Sequence, residues 1–227
     1  MPHLLHSSIM RAEVEELLRR RDYDLLVDLC LRDCRVWQQV RYRLYDLDEA
    51  VRWAAVETVA KVMERRWRSG EHEKVRNYVR TLFWSMSDES GGIGWSAPQT
   101  IGEIIAHIPE IIDPYGSMMI AYSIEEPPFI KGGLWGIGRL GERIAESVDF
   151  FRDKIFELFE SVDVETLGLL AWVMGEAVYA PALPFLEKLT GRTEMVQIYS
   201  AGAFSRKSLG EWAAEAVRKI TASTWKG

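Results

Sequence analysis

Residues 90–108 read SGGIGWSAPQTIGEIIAHI, and we predict that the rest of the chain repeats the unit that this stretch contains. A glycine-rich loop precedes Ser96 and Gln99, which have the Ser-x-x-Gln spacing of a capping box. Pro98 fits the first turn of a helix, where a backbone N–H lacks a partner. Apolar residues then recur at helical spacing and predict one buried face. They are Ala97, Ile101, Ile104, Ile105 and Ile108.

The composition predicts a globular protein. The chain has 227 residues, of which 48% are hydrophobic, so a single domain with a large core is expected. No apolar run reaches the ~18 residues of a membrane-spanning helix, and the first residues lack a signal-peptide pattern. We therefore expect a cytoplasmic protein without membrane contact. Cys30 and Cys34 argue against a disulfide framework, and no nearby residue completes a metal site with them.

The charge distribution disfavours nucleic acid as a partner. The net charge is −6, although residues 1–80 carry 16 Lys plus Arg against 14 Asp plus Glu, and the remaining residues carry 12 against 20. Neutralisation of phosphates dominates nucleic-acid affinity, and an acidic chain supplies little of it. The arginine groups at 19–21 and 65–68 are interpreted as solvated helix ends.

Nearly every segment has helical periodicity, so the fold class is predicted as all-α. We expect N-terminal cap helices over residues 9–33, helix pairs over 34–194 and a last helix over 208–222. The exception is a small β-hairpin within residues 195–207. Residues 129–148 are predicted to form one long, glycine-rich helix.

Polar residues mark three further helix starts. Asp46 and Glu49 have capping-box spacing, and so do Ser208 and Glu211. Asp163 is a predicted N-cap.

The helices recur with a period. The first helices of successive pairs start near residues 34, 72, 114, 150 and 181, which gives spacings of 38, 42, 36 and 31. A Gly-Glu pair recurs on the predicted second helices, and its glycines are 39, 34 and 35 residues apart. These glycines are Gly102, Gly141, Gly175 and Gly210. Two markers therefore indicate about five helix pairs.

Helix pairs of this period, with a second helix that reads DEAVRWAA at residues 48–55, resemble HEAT repeats, in particular those of the phycobilin-lyase class. The resemblance covers residues 34–220 and is weakest through 132–142. The segment at 91–95 is also similar to one in an uncharacterised bacterial and archaeal family of HEAT-like proteins. The resemblance implies a right-handed αα superhelix whose second helices line a concave surface.

Two tryptophans and four charged residues are the candidate binding residues of that surface. Trp95 lies at a loop-to-helix junction, and Trp135 lies roughly 150° from the apolar stripe of its predicted helix. The Gly-Glu carboxylates are predicted to face solvent by the same angular argument. Aromatic anchors beside charged groups are typical of protein and peptide sites. The charged candidates are Glu103, Arg139, Glu142 and Glu176.

The loop before Trp95 is a second candidate site. Backbone N–H groups of Gly91, Gly92, Gly94 and Ser96 would bind an anion if they pointed outward from the helix start. The loop contains no lysine or arginine, which favours a simple connector.

The chain also contains a Gly-x-Gly-x-x-Gly motif at Gly136, Gly138 and Gly141. A dinucleotide site needs a strand before this motif, and the context here is helical, so close helix packing is the favoured interpretation. No histidine lies near a nucleophile at a catalytic spacing, and no cofactor is expected.

We therefore predict a non-enzymatic protein that binds a protein or peptide on a helical-repeat scaffold. Two alternatives stay open. One is an enzyme on a HEAT-like scaffold, such as a DNA-glycosylase-like activity. The other is a chromophore-lyase-like or small-ligand role.

Overall fold

The computed structural model describes residues 2–87 and 94–224, with side chains from residue 10 onward and up to residue 223. The described residues are mostly helical and include one antiparallel two-stranded hairpin, as predicted. Contacts divide the chain into two compact units, Met1–Ile108 and Pro109–Gly227. Within these described ranges, no helix has the length and apolar character that crossing a membrane requires.

The described residues of the first unit form α-helices and a short 3₁₀ turn. In chain order the helices are α1 (Pro2–Arg20), α2 (Tyr23–Arg32), α3 (Cys34–Tyr42), α4 (Glu49–Arg68), α5 (His72–Trp84) and α6 (Ala97–His107). The 3₁₀ turn, Arg43–Tyr45, follows α3 directly.

Helix α4 is the core of the first unit. It packs against α1, α2, α3, α5 and α6. Val51, Val59 and Val62 are fully buried, and the alanines between them allow close approach of the neighbouring helices. Burial of each such side chain contributes about 1.5–3 kcal/mol. The helix ends at Ser69 and Gly70, as the sequence predicts.

The second unit contains more and shorter helices. They are α7 (Ile112–Ser123), α8 (Ile130–Leu140), α9 (Ala145–Phe150), α10 (Arg152–Glu157), α11 (Val164–Glu176), α12 (Leu183–Leu189) and α13 (Leu209–Thr224). Short 3₁₀ turns at Pro109–Ile111, Gly141–Ile144, Leu158–Glu160 and Ala180–Ala182 connect them. The hairpin pairs β1 (Met195–Ser200) with β2 (Ala203–Ser208), and Ser200 opposes Ala203 at the turn.

Helices that were predicted as second members of pairs lie side by side and run parallel within each unit. In the first unit α4 packs against α6, and His107 near the end of α6 contacts Glu64 near the end of α4. In the second unit α11 packs against both α8 and α13. Lys131 at the start of α8 pairs with Asp163 at the start of α11, which fixes the same direction for both helices.

One predicted capping box and one predicted N-cap are confirmed. The Ser208 hydroxyl accepts from the Glu211 N–H at 3.2 Å, and the Glu211 carboxylate accepts from the Ser208 N–H at 2.7 Å. Asp163 caps α11 as predicted. The cap of α4, however, is Asp48, which accepts from the Ala50 N–H, so the box predicted from Asp46 was wrong in its register.

The predicted capping box at Ser96 was wrong. Ser96 is the residue before α6, but its hydroxyl donates to the Leu44 carbonyl oxygen at 2.7 Å and makes no cap. The hydroxyl turns to this distant carbonyl and away from the local N–H groups, because it is then buried with a hydrogen-bond partner.

The long helix predicted over residues 129–148 is broken at Gly141. This residue has φ +59°, which ends α8, and a 3₁₀ turn and α9 follow. The four Gly-Glu pairs therefore do not share one helix position. Gly102 lies inside α6, Gly175 lies in the last turn of α11, and Gly210 lies in the first turn of α13.

The glycines of the Gly-x-Gly-x-x-Gly motif lie in α8 and at its end, with no strand before them. A Cβ atom on Gly138 would lie 2.4 Å from the ring of Trp172 on α11. The motif therefore allows close helix packing, which was the favoured interpretation. Gly133 has the same role against Ser123 of α7.

The packing at Gly138 predicts a stability effect. We expect Gly138→Ala to lower the free energy of unfolding by about 1–3 kcal/mol, the usual cost of overpacking, although alanine is the better helix former by about 1 kcal/mol. Urea unfolding followed by circular dichroism measures the change. Gly191→Ala is the matched control, because nothing lies within 4 Å of a Cβ there. Equal stability of the Gly138 variant and the wild type would contradict the packing assignment.

Candidate functional site

Residues 42–47 link α3 to α4 and form the centre of the candidate site. The apolar face of α3, with Val36 and Val40, is buried, and Leu44 continues it through the 3₁₀ turn. Residues on the opposite side of this segment consequently face outward. We call residues 42–47 the cleft segment.

A buried arginine fixes the backbone of the cleft segment. The Arg43 guanidinium is 2.7 Å from both Glu15 of α1 and Asp46. The other Asp46 carboxylate oxygen accepts from the Asp48 N–H, and the Asp46 carbonyl accepts from Arg52 at 2.9 Å. These bonds satisfy the polar groups of a segment that leaves the core, so the turn is held in one conformation.

Three clefts adjoin the cleft segment, and Tyr45 lines all of them. The first has a volume of about 590 Å³, and we call it the Arg11 cleft. It is lined by Arg11, Gln39, Tyr42, Arg43, Tyr45, Asp46 and Leu47. The second, the Trp95 cleft, has a volume of about 400 Å³. It is lined by Leu44, Tyr45, Asp46, Leu47, Arg52, Trp95, Ser96 and Gln99.

The third cleft has a volume of about 300 Å³, and we call it the Tyr78 cleft. It is lined by Gln38, Arg41, Tyr42, Leu44, Tyr45, Tyr78, Thr81, Leu82 and Ser85. The three clefts share residues, so they form one continuous indented surface on the first unit.

Large apolar side chains are exposed at the edges of these clefts. Leu47 is 96% exposed, Tyr42 58%, Trp95 57% and Tyr45 53%. Single exposed apolar residues are common, but a group of four around adjoining clefts makes this surface a candidate for binding. The surface contains aromatic and arginine side chains, which are residue types enriched at binding interfaces.

Trp95 is the sequence-predicted residue that lies exposed in a cleft. The loop residues that were predicted to bind an anion beside it either make other hydrogen bonds or lie outside the described residues. The Gly94 N–H donates to the Ser85 carbonyl at 3.0 Å, so it does not point at an anion. Ser96 lines the Trp95 cleft but donates to Leu44. Gly91 and Gly92 lie outside the described residues.

The predicted exposure of Glu103 was wrong, because this residue is buried. His107 lies one turn further along α6, with Nε2 3.2 Å from the Glu103 carboxylate and Nδ1 2.8 Å from Glu64 of α4. A neutral imidazole has one N–H, whereas the protonated ring donates to both carboxylates. The Glu103 hydrogen bond, with a further contribution from Glu64, raises the pKa of His107 despite its partial burial.

The predicted exposure of Trp135 was also wrong. Its indole is buried, and Nε1 donates to the Tyr199 carbonyl of the hairpin at 2.6 Å. Arg139 is half-buried on the same helix. Glu142 is exposed, as predicted, but lies in the 3₁₀ turn after α8. Glu176 accepts from Lys219 at 2.5 Å. These residues belong to the second unit, whereas Trp95 belongs to the first.

Sequence reasoning missed Tyr42, Tyr45 and Leu47. The available signal was Leu47 itself, an apolar residue between two aspartates in a polar helix-capping segment. No apolar residues at helical or strand spacing accompany Leu47, so the sequence pattern does not predict that it is buried.

The cysteines and acidic residues offer no obvious chemistry. Burial raises the pKa of the Cys30 thiol to about 12, so it stays protonated, and Cys34 is exposed. Over the described ranges 2–87 and 94–224, no group of three or more His, Cys, Asp or Glu residues is arranged to hold a metal ion.

The His107 contacts predict a pH-dependent stability. A raised folded-state pKa stabilises the fold fully below the unfolded value of about 6.5, and this stabilisation is lost as the pH rises through the folded pKa. We therefore expect the free energy of unfolding of the wild type to fall as the pH rises above about 6.5. His107→Gln, which keeps a neutral donor, should flatten this dependence. Parallel pH profiles for the two proteins would contradict the assignment.

Comparison with known proteins gives similarity without an assigned activity. The chain matches no protein-family model. It is 27% identical over 176 residues to an uncharacterised protein of Archaeoglobus fulgidus, and the match covers 74% of this chain and 88% of that protein. The two compact units have 108 and 119 residues, so the matched segment is longer than either and includes parts of both.

Proposed function

We propose that this chain is a HEAT-like helical-repeat protein, with the right-handed αα superhelix that this class implies, and that it binds a protein or peptide segment at the clefts around residues 42–47. The observation that carries the binding proposal is the group of exposed apolar side chains at Tyr42, Tyr45, Leu47 and Trp95. No catalytic step is part of the proposal.

The parallel arrangement of α4 with α6, and of α8 with α11, supports the repeat assignment. In a repeat of helix pairs, equivalent helices of successive pairs stack in the same direction, whereas neighbours in a simple up-down bundle alternate. The predicted repeat starts near residues 34 and 72 coincide with the starts of α3 and α5.

The size and chemistry of the clefts support a polypeptide as the ligand. Volumes of about 300–590 Å³ accommodate single large side chains or short segments, and the clefts adjoin, so consecutive residues of one segment could occupy them. Tyrosine and tryptophan at the edges provide large contact areas with few rotatable bonds, which keeps the entropy cost of binding low. The fixed conformation of the cleft segment lowers that cost further.

Selection from a random peptide library displayed on phage tests the proposal. The immobilised full chain should enrich peptides that contain aromatic or large aliphatic residues. A variant with Tyr45→Ser and Leu47→Ser should capture these peptides at least about tenfold less, because exposed apolar anchors carry most of the energy of such interfaces. Both residues are largely exposed, so the variant is expected to fold.

The control variant carries Phe150→Ser and Val162→Ser, which removes apolar side chains that are 81% and 98% exposed in the second unit. It should capture the same peptides as the wild type. Failure to enrich any peptide, or equal loss in both variants, would refute binding at the clefts.

A further inference from the structure

The clefts contain two buried polar atoms that lack a hydrogen-bond partner. They are the Tyr78 hydroxyl, which lines the Tyr78 cleft, and Gln99 Oε1, which lines the Trp95 cleft. Buried polar atoms are nearly always paired, and each orphan costs free energy comparable to a lost hydrogen bond. Both residues line clefts, so a ligand bound there can supply the missing partners if it reaches these atoms.

The two atoms require complementary groups. Gln99 Oε1 is an acceptor and needs a donor from the ligand. Burial raises the pKa of the Tyr78 hydroxyl, which therefore keeps its proton and donates. A polypeptide main chain offers N–H donors and carbonyl acceptors in alternation, so one extended segment can satisfy both atoms.

Some arginines at the clefts have acidic partners among the described residues, and others do not. Arg43 and Arg52 are paired with Glu15, Asp46 and Glu49. Arg11 lines the Arg11 cleft and Arg41 the Tyr78 cleft, and within the part of the chain that the structure describes neither has an acidic partner. The Arg41 guanidinium lies 5.6 Å from the centre of the Tyr78 ring. Two cations therefore lie in two different clefts, while the arginine of the Trp95 cleft is already neutralised.

We propose that the ligand is an acidic peptide segment in which carboxylates separated by apolar residues bind Arg11 and Arg41, apolar side chains contact Tyr45, Leu47 and Trp95, and main-chain groups pair with Tyr78 and Gln99. This inference rests on the proposed function and specifies its ligand. A nucleic-acid strand fits less well, because it carries a negative charge at every residue and the Trp95 cleft has no uncompensated cation.

The composition and affinity of the selected peptides test the charge pattern. Peptides from the library should contain Asp and Glu above their frequency in the unselected library. With one resynthesised, dye-labelled peptide, fluorescence anisotropy should give a Kd raised about two- to fivefold by Arg11→Gln or Arg41→Gln alone and about tenfold by both together. Arg218→Gln, an exposed arginine of α13, is the control and should leave Kd unchanged.

Tyr78→Phe separates a ligand-directed hydroxyl from a structural one. Because the hydroxyl makes no well-formed hydrogen bond in the free protein, its removal should leave the urea midpoint unchanged or raise it, whereas Kd for the peptide should rise several-fold. A structural hydroxyl would lower the midpoint instead. Loss of stability without loss of affinity would overturn the assignment of Tyr78.

The remaining outcomes distinguish this inference from the proposed function. If selected peptides lack an acidic excess and the arginine variants bind them normally, the acidic ligand is overturned while peptide binding at the clefts stands. If a poly(U) oligonucleotide binds and the arginine variants lose it, while no peptide is enriched, the ligand is a nucleic acid and both proposals fail.

Discussion

The burial of α4 is the constraint on which the first unit depends. Helices α1, α2, α3, α5 and α6 all contact it, and nine of its twenty residues are buried. The chain must therefore enter α4 from the surface through a short linker whose backbone polar groups need partners outside the core. Asp46, Asp48 and Arg43 supply them.

The same bonds explain why apolar side chains are exposed beside the linker. Asp48 is bound to Arg19 at 2.5 Å and Asp46 to Arg43, so the backbone between the two aspartates cannot turn Leu47 inward. Leu44 occupies the inward position, and Tyr45 and Leu47 are left outside. Exposed apolar groups on a fixed backbone lose little conformational freedom when a ligand covers them, which is a favourable arrangement for binding.

The sequence predicts the elements of this fold better than it predicts the partners of individual side chains. Helical periodicity identified most helices and a strand-turn-strand pattern identified the hairpin, and the Ser208 capping box was correct because all its atoms lie within four residues. Ser96 has the same local pattern, but its hydroxyl bonds to Leu44, 52 residues away. Glu103 and Trp135 were expected at the surface because helical angles describe one helix alone. His107 and Glu64 cover the first, and the hairpin carbonyl of Tyr199 covers the second.

The parallel packing of α4 and α6 also connects the cleft to the ion pairs of His107. Gln99 and Arg52 lie in the first turns of these helices and line the Trp95 cleft, whereas His107 and Glu64 join their last turns. Interdigitated apolar side chains already oppose sliding of the two helices, and polar contacts at both ends further fix their register. At the cleft, the Ser96 hydroxyl binds the Leu44 carbonyl, and at the other end, about 16 Å along α6, the imidazole binds two carboxylates. The Ser96 hydrogen bond does not depend on pH, whereas the His107 contacts weaken when the imidazole loses its proton. Raising the pH therefore loosens the α4–α6 contact at the His107 end and leaves the cleft end unchanged.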